Sequence, residues 1–135
     1  MLDNLKIGGS NYARIKKVGT DLFKITFTGK IADKENFQAY LDDLEQCYMN
    51  KKPMLLLFDA TKAKVPSISM QKRQADWMLI HWKMIQTYCL GTAYVIDRLP
   101  IRIALHLIFY FQNQPVPYKI FDSETKAIRW LNSLK

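Results

Sequence analysis

Five apolar residues, Met54–Phe58, run without interruption between Pro53 and Asp59. A run this short, with a proline at one end and a carboxylate at the other, predicts a strand buried on both faces. Such strands occur in parallel sheets covered by helices. In open α/β sheets, ligands gather beyond the carboxyl ends of such strands. Asp59, Thr61 and the Lys62–Pro66 loop are therefore where a site is expected.

The segments on either side supply the rest of the sheet. Phe23, Ile25 and Phe27 alternate with Lys24, Thr26 and Thr28, the period of a half-buried strand over Leu22–Thr28. Asn11–Val18 carries a second strand signal, and Gly19-Thr20-Asp21 between the two predicts a hairpin. Thr92–Ile96 is another β-run that stops at a carboxylate, Asp97, and Tyr118–Phe121 is a short further strand.

Helical spacing fills the gaps. Asp33 is placed to cap a helix over Lys34–Met49. Phe37, Tyr40, Leu41, Leu44, Cys47 and Tyr48 form its inner face, and Asp42, Asp43 and Glu45 its solvent face. Ser67 or Ser69 starts one long helix to about Cys89, with Gly91 as its stop signal. Pro100 suits the first turn of a helix over Ile101–Gln112, and Asp122 or Ser123 caps a last one. The order ββαβαβαβα predicts a single α/β domain over residues 11–135, after a loose lead-in at residues 1–10 with a linker-like Gly8-Gly9. Its sheet is mostly parallel, with the first strand as an antiparallel edge and helices packed on the sheet.

Composition narrows the functional classes. Twenty Lys and Arg against twelve Asp and Glu leave a charge of +8. The basic residues are scattered as doublets (Lys16-Lys17, Lys51-Lys52, Lys72-Arg73), and the aromatics fall at core spacing, which argues against a nucleic-acid surface. Cys47 and Cys89 lack metal or redox spacing and are read as reduced core thiols on helices. With no signal-peptide pattern and no apolar segment near about 20 residues, the expectation is a cytoplasmic protein without a membrane span. No phosphate-loop glycine pattern is present, so no cofactor is expected.

Chemistry-bearing residues are few. His81 and His106 sit in helical apolar stretches, too isolated for a metal site. A hydrolase built on Asp59 and His81, with Ser67 or Ser69, is conceivable, although no serine lies in a Gly-x-Ser-x-Gly elbow. The better candidate set is Asp59, Thr61, Lys64, Ser67 and Ser69, where hydroxyls, backbone amides and a helix N-terminus meet lysines. The helix Ser69–Cys89, with Trp77 and Trp82, is apolar on more than one stripe, so it is either buried on two sides or offers a face to a ligand or a second subunit. Burial together with a homodimer contact is expected.

Three stretches resemble the SpoIIAA-like branch of the STAS superfamily, whose fold is shared with CRAL-TRIO lipid-binding domains. They are Phe27-Thr28-Gly29 with Asp33-Lys34-Glu35-Asn36-Phe37 and Tyr40-Leu41; the strand Leu55–Thr61; and Pro117–Ser123 leading to Ala127, Trp130 and Leu131. The resemblance implies a SpoIIAA-like fold and a binding or regulatory module without catalysis. It implies a regulatory protein partner or a small apolar or anionic ligand. Anti-sigma-factor antagonists of this superfamily are phosphorylated on a serine at the start of the helix after the central strand, which implies Ser67 or Ser69 here. Neither has the preceding Asp or following Gly of the family's motif. The lipid-binding cousins imply an apolar pocket between the sheet and the helices Ser69–Cys89 and Ile101–Gln112.

Overall fold

The central run becomes strand β4, Met54–Asp59, with every residue from Met54 to Phe58 buried. A computed structural model of the chain describes residues 6–7 and 10–135. The other strands are β1 Lys6–Ile7, β2 Ala13–Val18, β3 Leu22–Phe27, β5 Cys89–Val95 and β6 Tyr118–Phe121. All lie in one sheet in chain order. Strands β3 to β6 are parallel, β2 is antiparallel to β3, and β1 is antiparallel to β2. The helices are α1 Lys34–Gln46, α2 Ile68–Ile80, α3 Trp82–Tyr88, α4 Leu99–Phe111 and α5 Glu124–Asn132.

Strand order equal to chain order decides where the helices go. Successive right-handed crossovers that all step in one direction deposit their helices on one face. The core bears this out. Leu56 and Phe58 pack with Phe37, Tyr40 and Leu41 of α1, Trp77 and Met78 of α2, Ile85 of α3 and Ile101 and Phe109 of α4. Leu55 and Leu57, pointing the other way, pack with Ala93, Val95 and the α5 residues Ala127 and Leu131. Gly91 belongs to this second layer: a Cβ there would run into the Leu134 side chain and lie 3.2 Å from the Pro117 carbonyl oxygen.

Caps fix three helices as their residue types require. Asp33 accepts from the Asn36 N–H at 2.7 Å while the Asn36 side chain accepts from the Asp33 N–H at 2.8 Å, a reciprocal box at the start of α1. Ser67 accepts from the Met70 N–H at 3.2 Å, and Ser123 from the Lys126 N–H at 3.3 Å.

Several elements differ from expectation. Lys6–Ile7, inside the expected lead-in, pair with Lys16 and Ile15, so β1 rather than the Asn11–Val18 strand forms the edge. The Gly8-Gly9 linker signal lies outside the described residues. The long helix breaks at His81, whose φ of −101° and ψ of 18° leave the helical region. β5 then begins at Cys89, so Cys89 and Gly91 are strand residues and Gly91 is not a helix stop. Asp43 does not face water: it is 6% exposed and accepts from the Ser10 N–H at 3.2 Å. Trp77 is buried in its own chain, whereas Leu79 and Ile80 beside it are exposed.

Leu131 is fully buried where α5 meets β4 and β5. Leu131→Ala is therefore expected to destabilise the domain by about 2–5 kcal/mol, the range for a leucine cavity in a packed core. Urea denaturation measures it, and a loss below about 1 kcal/mol would show that α5 is not an integral layer.

Candidate ligand-binding site

At the carboxyl end of the sheet, on the face covered by α1 to α4, aromatic side chains form a continuous wall. Phe58 of β4 and Tyr94 of β5 are register partners whose rings stack at 5.0 Å. Phe27 stacks on the other side of Phe58 at 6.3 Å. Tyr12, Phe37 and Tyr40 then meet one another edge to face at 5.4–5.5 Å. Edge-to-face packing of this kind adds to simple burial, about 0.5–1.5 kcal/mol per pair.

Large rings on the sheet and on α1 do not close completely against α2 and α4. They leave a cavity of ≈ 90 Å³ between the wall and Met78, Ile101, Ala104 and Ile108. The cavity is apolar apart from Lys64 and Gln74 and the hydroxyls of Tyr12, Tyr40 and Tyr94. Lys64 is exposed, which puts its charge at the mouth. Arg98, at the N-cap of α4, donates to the Ala63 carbonyl and ties the loop after β4 to the loop after β5.

The five sequence candidates separate. Asp59 and Thr61 are absorbed by their own turn: the Asp59 carboxylate accepts from the Thr61 N–H at 3.1 Å and the Thr61 hydroxyl at 2.7 Å. Ser67 caps α2, and Ser69 is exposed on its first turn. Only Lys64 of the five lines the cavity. Strand order never reverses between β3 and β6, so no switch-point crevice forms, and the opening lies between layers instead.

The Asp59–His81 hydrolase arrangement does not form. α2 starts beside the β4 loop and has 13 residues, which carries His81 about 20 Å along its axis. There His81 Nε2 lies 3.6 Å from Glu45 Oε1 and its ring 4.7 Å from Trp77.

Burial governs the titration of the wall. It pushes the Tyr12 phenol up to about 12. Tyr40 and Tyr94 are also raised by burial, Tyr40 with added opposition from Tyr12, Tyr94 and Cys47. The free thiols Cys47 and Cys89 are also buried and pushed up to about 12.

Sequence reasoning assigned Tyr12, Tyr40 and Tyr94 no site role. Tyr40 fits the core face of α1, and periodicity reports a face, not a gap in its packing. Arg98 gave no signal beyond its charge.

The architecture is a SpoIIAA-like fold. A solved structure of an uncharacterised DUF3478-family protein from Shewanella loihica, with a SpoIIAA-like fold, matches with a TM-score of 0.64. The match covers 97% of this chain and 98% of that one at 20% identity, and it speaks for the fold alone. No family model matches the sequence, and no curated protein matches it significantly. No helix among the described residues is long and apolar enough to cross a membrane.

The raised pKa values carry a stability consequence. The buried phenols of Tyr12, Tyr40 and Tyr94 and the two buried thiols each hold their proton more tightly folded than unfolded. Each contribution is complete below the unfolded pKa, 9.0 for the thiols and 10.0 for the phenols, and is lost as pH rises toward the folded value. Unfolding free energy is expected to fall steadily above about pH 9, and denaturant titrations across the alkaline range measure it. A flat profile to about pH 11 would contradict the burial of these groups.

Proposed function

We propose that this protein is a non-enzymatic binding module whose ligand is a small, mainly apolar molecule held at the carboxyl end of the central strands. The observation that carries the reading is the cavity of ≈ 90 Å³, walled by Phe27, Phe58 and Tyr94 on the sheet and by α2 and α4 above. Ligand sites are characteristically concave and apolar, with a few placed polar groups. Lys64 at the mouth suits an anionic end that stays in water while the apolar part enters.

Size constrains the cargo. A cavity of roughly 150 Å³ takes benzene. The space here therefore encloses only a short chain end or small ring, and anything larger requires α2 or α4 to shift outward. Asp59, Thr61, Ser67 and Ser69 shape the adjoining loop and helix start in this reading. A phosphate on exposed Ser67 or Ser69 would act on the mouth by adding charge beside Lys64.

Native mass spectrometry of freshly purified protein, followed by organic extraction, tests the proposal. The expected result is a stoichiometric apolar molecule on the wild type that is lost from Ala104→Leu, which fills the cavity, and from Ile108→Phe. Circular dichroism identifies a variant that fails to fold. An empty wild type, or cargo that survives both substitutions, would overturn the reading.

A further inference from the structure

The aromatic wall carries three tyrosines, Tyr12, Tyr40 and Tyr94. Tyr12 is 4% exposed and Tyr40 3% exposed, and both line the cavity. Among the described residues neither hydroxyl has a hydrogen-bond partner. The sealed, partnerless side-chain atoms are Tyr48 Oη and Gln71 Oε1. Tyr12 and Tyr40 are not among these, and both nearly buried residues line the cavity. The third phenol differs in being held as an acceptor: Tyr94 Oη accepts from Gln114 Nε2 at 2.9 Å, and the same nitrogen reaches Thr92 Oγ1 at 3.0 Å.

We propose that Tyr12 and Tyr40 recognise an uncharged carbonyl oxygen on the ligand, so that the cavity selects small ketones, aldehydes or esters over hydrocarbons of the same shape. The proposal rests on the apolar-ligand reading above and names the polar group that site takes. The two rings meet edge to face with centroids 5.5 Å apart, on one wall of the cavity. A carbonyl oxygen has two lone pairs and can accept from both O–H groups.

Charge excludes the closest competitor. A carboxylate at this depth would lose its hydration with no buried cation to replace it, because Lys64 is exposed at the mouth. The phenols themselves stay protonated, since burial holds Tyr12 up to about 12 and Tyr40 well above its ordinary value. They are therefore neutral donors throughout the physiological range, matched to a neutral acceptor.

The test compares acetone with isobutene, which replaces the oxygen by a CH₂ group with little change of shape and is small enough for a cavity of ≈ 90 Å³. Both are titrated into the full chain and followed by the methyl and aromatic NMR signals of the cavity. Wild type is expected to bind the ketone at least about fivefold tighter, the worth of one net hydrogen bond. Tyr40→Phe with Tyr12→Phe keeps both rings and is expected to abolish that preference. The single variants provide the same readout if the double variant does not fold. Equal wild-type binding of the two probes, or a preference that survives the substitutions, would overturn the carbonyl assignment while leaving the apolar site standing. Binding of neither probe would overturn both.

Discussion

Burial of β4 on two unlike faces is the constraint on which the structure depends. Its odd residues, Leu55 and Leu57, are sealed by α5, and its even ones, Leu56 and Phe58, by the layer of α1 to α4. Because side chains alternate along a strand, a slip of one residue would exchange these two environments completely. The small partners on one face, Ala93 and Ala127, let α5 approach closely. The large rings on the other face cannot pack so tightly. The cavity is the result of that difference.

This divides the molecule physically. The α5 face holds the chain together with fully buried aliphatic side chains and a glycine that only a close neighbour explains. The opposite face combines rings, three 13-residue helices and a loop pair joined by Arg98. α4 carries exposed Leu99, Ile103 and Tyr110 on its outer side, so it is anchored from one side only. A helix held by a single face above a gap is the element able to move when the gap is filled. The sheet with α5 is then the scaffold, and α2 and α4 are the adjustable wall.

Much of the scaffold was legible in the sequence because its signals are local. The Met54–Asp59 run, the Leu22–Phe27 alternation, and the caps at Asp33, Ser67 and Ser123 each reflect physics acting within a few residues. The break at His81 was not legible: no glycine or proline marks it, and it follows from where α2 must turn to bring Cys89 into the sheet. The burial of Asp43 was hidden because its Ser10 partner lies 33 residues away. The site was half legible. The sequence pointed to the carboxyl end of the strands, where the cavity lies, and to Lys64, which lines it. It could not show that Asp59 and Thr61 satisfy each other, or that Tyr12 and Tyr40 border a void. A buried tyrosine and a cavity-lining tyrosine have the same helical or strand spacing, and only the packing of distant elements distinguishes them.

Native-state hydrogen exchange, resolved residue by residue, tests the division into scaffold and adjustable wall most directly. Amides of β4, β5 and α5 are expected to exchange only through global unfolding, while those of α2 and α4 exchange through smaller openings of lower free energy. Protection in α2 and α4 equal to that of β4 would contradict it, for the cavity would then lie beneath a wall as rigid as the sheet.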